Sequence, residues 1–180
     1  MATSGTTAFN LDLSDIIEEA YELCGLELRS GYEYKTARRA LDLLFLEWQN
    51  RGLNLFSVEE GTQTLTEGTG SYTLDSNVLD IIEAFIRTDA SDVNKQVDQT
   101  LRRISVSEYA HIANKLNKGK PSLFYFDRNI STPAIKLWSS PDGNATYTLV
   151  YYYVKKIEDT GNVGTNNTGV PTRYLPCMTY

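Results

Sequence analysis

One stretch, SGYEYKTARRALDLLFLEWQNRG, limits what this chain can fold into more than any other. Tyr34, Ala37, Leu41, Leu44, Phe45 and Trp48 recur at three- and four-residue spacing, which gathers them on one face of a helix from about Tyr32 to Arg51. Ser30 followed by Glu33 fits a capping box at its start, and Gly52 suits a left-handed stop at its end. About 20 residues at ~1.5 Å each make a rod of ~30 Å, long enough to be the backbone of a domain. Leu43 and Leu46 do not belong to that stripe. They point to the far side, where the helix of a monomer is normally polar. The helix is expected to be covered twice, once by its own domain and once by something else.

With 180 residues, the chain has room for one or two domains. Its net charge of −6 argues against a sequence-independent DNA binder, which needs a basic surface to displace counterions. No apolar run approaches the roughly 18–20 residues that span a bilayer, so no membrane insertion is expected. The opening MATSGTTAFN lacks the charged head and apolar core of a secretory signal. Cys24 and Cys177 show neither a CxxC nor a zinc spacing. They read as two buried thiols in a reducing compartment, with a disulfide between them as the alternative.

The expected fold class is α+β: a helical hairpin or bundle domain interrupted by an antiparallel β-domain with one short helix. Residues 1–12 are small and polar and read as a flexible arm. Residues 13–56 form the hairpin. Its first helix, Leu13 to Cys24, has Ile16, Ile17, Ala20, Leu23 and Cys24 on an apolar face and Asp15, Glu18, Glu19 and Glu22 on an acidic one. Gly25 is its stop. Residues 57–157 carry the β-signal, with Ile82, Ala84 and Ile86 alternating against Glu83, Phe85 and Arg87. Residues 96–104 read as the partner of that strand, and Ser105 with Glu108 opens a short helix through Asn117. The run ATYTLVYYYVKKI is bulky on both faces, as befits a central or an interface strand. Residues 158–170 are a polar, glycine-rich linker, and 171–180 read as the start of a returning helix that stops inside an element.

Chemistry has little to rest on. His111 is the only histidine, in a short helical pattern where a surface or packing role is commonest. No GxSxG, HExxH, Walker or dinucleotide-type glycine pattern occurs. Asp89, Asp92 and Asn94 loosely resemble a calcium loop, but Asn94 falls where glycine is needed and Thr100 where a bidentate glutamate is needed. No catalytic residue, metal ligand or cofactor is assigned, and no enzymatic activity is expected. Tyr151–Tyr153, with Trp138 and Phe124–Phe126, could stack sugars or bases, although aromatics on adjacent strands more often make a core or a protein contact.

The segments SDIIEEAYELCGL and ARRALDLLFLEWQNRGLNLF resemble the N-terminal helical hairpin of head-to-tail adaptor proteins of short-tailed bacteriophages, also called connector, tubular or tail accessory proteins. The pattern is an amphipathic helix ending in a Gly-Leu turn, then a long Ala/Leu helix ending in Trp-x-x-x-Gly. The resemblance covers about a quarter of the chain. It implies a structural virion protein at the head–tail interface, assembled in the host cytoplasm as a dodecameric ring beneath the portal. Such a ring bridges the portal to the tail nozzle or fibres and extends the DNA channel without reading DNA sequence. A nozzle component, or a module binding glycans or protein through the aromatic sheet, is the alternative.

The residues expected at the subunit interface are Leu43 and Leu46, with Tyr152 and Trp138 from the aromatic strands. Lys35, Arg38 and Arg39 are candidates as well. They sit at the helix start, where the dipole disfavours cations. Either they pair with Glu18 and Glu22 across the hairpin, or they meet an acidic surface on a neighbouring subunit.

Overall fold

Asp12 opens the first helix, α1 (Leu13–Leu23). Its Oδ1 accepts from the Asp15 N–H at 3.0 Å and from the Ser14 hydroxyl at 2.6 Å, and these bonds hold its carboxyl below the usual range. The structure, a computed structural model, describes residues 11–52, 56–160 and 170–179. Most of the arm expected over 1–12 therefore lies outside the described residues. Its last two residues correct that expectation: Leu11 packs on the helical core and Asp12 is a helix cap. The first amides of a helix need acceptors, and Asp12 supplies one.

The chain divides into two compact units, Met1–Phe56 with Ile157–Tyr180, and Ser57–Lys156. In the first, α1 turns at Gly25, whose φ of +71° lets the Leu26 N–H reach Tyr21 O at 2.9 Å. The long helix α2 (Gly31–Asn50) follows. Glu33 Oε2 accepts from the backbone N–H groups of Arg29 at 2.7 Å and Ser30 at 2.8 Å, which holds its carboxyl below the usual range. Gly52, at φ +75°, lies just past the helix end. Leu13, Ile16 and Ile17 meet Leu41 and Phe45 in the core, closed by Val170, Leu175 and Met178.

Three readings of this unit change. The returning helix expected over 171–180 is a 3-10 turn, Thr172–Tyr174, and then a single turn, α4 (Pro176–Thr179), with Tyr180 outside the described residues. Pro176 lacks an N–H, so it starts a new turn instead of continuing one. Leu23 and Cys24 are exposed, because α2 and the C-terminal segment bury only the first turns of α1. Both cysteines are free and exposed rather than buried. Of the expected linker, residues 161–169 lie outside the described residues.

The second unit is a sandwich of two four-stranded sheets. One has β1 (Val58–Thr64), β8 (Tyr147–Lys155), β3 (Val78–Thr88) and β4 (Val97–Thr100), in that order. The other has β2 (Ser71–Thr73), β7 (Ala134–Trp138), β6 (Leu123–Asp127) and β5 (Arg102–Arg103). Ile81, Ala84, Ile86, Leu149 and Tyr151 face Phe124, Phe126, Ile135 and Leu137 in a shared core.

The single antiparallel sheet expected here is thus two, and one is mixed, since β5 runs parallel to β6. The cause lies in residues 97–103. Leu101 donates its N–H to Ala84 O at 2.8 Å, but the next residue, Arg102, donates to Ser122 O at 3.0 Å. Leu101 drops into the core, and the strand changes sheets around it.

Strand β3 holds a second correction. Ile82 is exposed, and the inward positions are Val78, Ile81, Ala84 and Ile86. Register shifts at Val78/Asp80 and Ile81/Glu83 each insert one extra residue, so strict alternation fails. The helix α3 (Val106–His111) has both arms of its capping box, Ser105 N–H to Glu108 at 2.8 Å and Glu108 N–H to Ser105 Oγ at 3.2 Å. It stops at Ile112 instead of Asn117. The Lys115 ammonium caps the carbonyls of Ala110 and Ile112 at 3.1 and 3.0 Å, and the Trp138 indole takes Asn114 O at 3.0 Å.

Candidate assembly surface

At 100° per residue, Tyr32, Lys35, Arg39, Leu43 and Leu46 fall within an arc of about 80° on α2. That arc faces away from Leu41 and Phe45. Tyr32 is 76%, Leu43 60% and Leu46 55% exposed. The first half of this stripe is cationic and the second half apolar. Tyr32, Lys35, Arg38, Arg39 and Asp42 line a shallow recess at its start, with Arg38 half-buried on the flank.

Asp42 anchors the flank. Its Oδ1 accepts from Thr160 twice, from the N–H at 3.0 Å and the hydroxyl at 2.9 Å, and Thr160 is 1% exposed. Nothing in the pattern of the sequence marks this pair. Asp42 reads as an ordinary polar helix residue, and Thr160 sits in a polar, glycine-rich stretch.

Across the hairpin, Glu18 is met by a hydroxyl of α2. Glu18 accepts from the Tyr34 hydroxyl at 2.7 Å, and that bond raises the phenol's pKa. Among the described residues, neither Lys35 nor Arg39 forms an ion pair with Glu18 or Glu22.

The structure does not bring Tyr152 and Trp138 together. Tyr152 projects from the outer face of β8, donates to Glu60 at 2.8 Å and meets Phe85 edge-on at 6.3 Å. Trp138 ends β7 in the other sheet, tied to the α3 loop, where Tyr109 stacks on Tyr125 at 5.5 Å. Tyr151, Phe124 and Phe126 are core, so these three have no free face on which to stack a ligand.

His111 is exposed, with Nδ1 2.6 Å from Ser107 O one turn back. Among the described residues, no group of three or more His, Cys, Asp or Glu side chains is placed to hold a metal ion. No described helix is long and apolar enough to cross a membrane. The surface that stands out is the exposed outer stripe of α2.

Comparison with known proteins gives the family. A family model described as SU10 adaptor protein matches residues 11–180. No curated protein matches the chain.

Proposed function

Because this chain belongs to the SU10 adaptor protein family, a family of phage adaptors, we propose that it assembles as a homo-oligomeric ring between portal and tail. It is a structural component of the phage particle. The observation that carries the ring is the two-faced α2, with Leu41 and Phe45 in its own core and Leu43 and Leu46 in water. Large exposed apolar side chains aligned on one helix mark a contact surface. A ring needs each copy to present two different patches to its neighbours.

The portal is the partner above, and a tail nozzle or fibre protein the partner below. The dodecameric count and the short-tailed type of particle rest on the hairpin's resemblance to adaptors of such phages. DNA passes through the ring without sequence-specific contact, which the net charge of −6 favours by keeping the surface from holding phosphate. No catalytic step is assigned to any residue. The aromatic-sheet module is the weaker reading, since Tyr152 is the one well-exposed member of the 151–153 cluster.

Cryo-electron microscopy of the particle, with native mass spectrometry of the purified chain, tests this proposal. The expected result is a closed ring at the head–tail vertex, with mass a fixed multiple of the chain. Density at the tail tip favours the nozzle instead. A monomer or a two-fold dimer overturns the ring.

A further inference from the structure

The acidic face of α1 is directed away from its own core. Asp15, Glu18, Glu19 and Glu22 sit opposite Leu13, Ile16 and Ile17. With Leu23 and Pro176 they wall an open trough of about 680 Å³ between α1 and the C-terminal turns. The helix contains no lysine or arginine, and among the described residues Glu19 and Glu22 have no cationic partner.

The outer stripe of α2 has the inverse composition: Lys35 and Arg39, then Leu43 and Leu46. Each surface lies on the side of its helix turned away from the common core, so one copy cannot close one upon the other. Both surfaces combine charge with apolar area, and their charges are opposite.

Resting on the ring reading above, we propose that the α1 trough of one copy receives the α2 stripe of the next. The Lys35 and Arg39 side chains meet Glu19 and Glu22, while Leu43 and Leu46 cover Leu23 and Pro176. The contact is head-to-tail. Every copy uses one trough and one stripe, so the contact repeats from copy to copy, as a ring requires.

Charge reversal tests it on the full chain. In one variant, Glu19→Lys with Glu22→Lys sets lysines against Lys35 and Arg39. In the other, Lys35→Glu with Arg39→Glu sets glutamates against Glu19 and Glu22. All four positions are exposed, so the fold is expected to survive. Each variant alone is expected to associate about 100-fold more weakly than wild type, because like charges then oppose each other. An equimolar mixture is expected to assemble with the two variants alternating, read by native mass spectrometry with one carrying a mass tag. The chain bearing all four reversals assembles by itself. Either variant assembling alone with wild-type affinity, or a mixture that stays monomeric, overturns the pairing and leaves the ring intact. A wild-type chain that stays monomeric at every concentration overturns both. Should a variant melt early, salt decides: wild-type association that does not weaken between about 50 and about 500 mM NaCl overturns the pairing.

Discussion

Asp42 and Thr160, 118 positions apart in the chain, meet at a single carboxylate oxygen that accepts two hydrogen bonds, at 3.0 and 2.9 Å. The bonds pin the chain that leaves the β-unit to the flank of α2, one residue before Leu43. Thr160 is buried, so its N–H and hydroxyl have no ready access to water.

Removing the acceptor is therefore expected to cost more than removing one donor. Asp42→Ala should lower stability by about 2–3 kcal/mol and Thr160→Val by about 1 kcal/mol, as read by urea unfolding. Equal and negligible effects would mean that the pair does not hold the segment.

Leu43→Glu with Leu46→Glu should leave the monomer's unfolding free energy within about 0.5 kcal/mol of wild type, because both side chains are exposed. Ring mass by native mass spectrometry should fall to that of the monomer. An undiminished ring would remove this face from the contact.

Gly61 lies directly opposite Tyr151 on neighbouring strands, and a Cβ at Gly61 would overlap the phenol ring. Gly61→Ala is expected to destabilise the β-unit by about 1–3 kcal/mol. In a Tyr151→Leu background the same change should cost less, since the obstructing ring is gone. Strict additivity in that double-mutant cycle would refute the contact.

Tyr153 has its hydroxyl pushed up to about 12, first by burial and then by its 2.9 Å hydrogen bond to Glu59. A pKa raised on folding means stability that is whole below the unfolded value of about 10 and is lost as pH rises through about 12. Melting temperature should fall across that window, and Tyr153→Phe should flatten the fall. Ultraviolet titration should show this phenol ionising late. Ionisation of every tyrosine near the unfolded value would contradict it.

Trp138→Phe removes the indole N–H that reaches Asn114 O and should cost about 1 kcal/mol. Tyr152→Ala, on the open face of β8, should cost less than Trp138→Ala in thermal unfolding. The reverse order would place the structural weight on Tyr152.

The helical half was legible because its signals are local. Ser30, Glu33, Gly25 and Gly52 act within a few residues of themselves, and a 3.6-residue period sorts Leu41 and Phe45 from Leu43 and Leu46 with no knowledge of the partner. The α+β class and the exposure of the α2 stripe followed from that. Strand signals are weaker guides. A period of two cannot foresee the extra residues that turn Ile82 outward and Ile81 inward, because a bulge depends on the partner strand. Nor could it foresee that Leu101 would carry one strand from sheet to sheet. Only the tertiary structure joined Asp42 to Thr160, bound Glu18 to Tyr34 instead of to a cation, and set Tyr152 and Trp138 in different sheets. Periodicity is written along the chain, whereas partners are chosen across it.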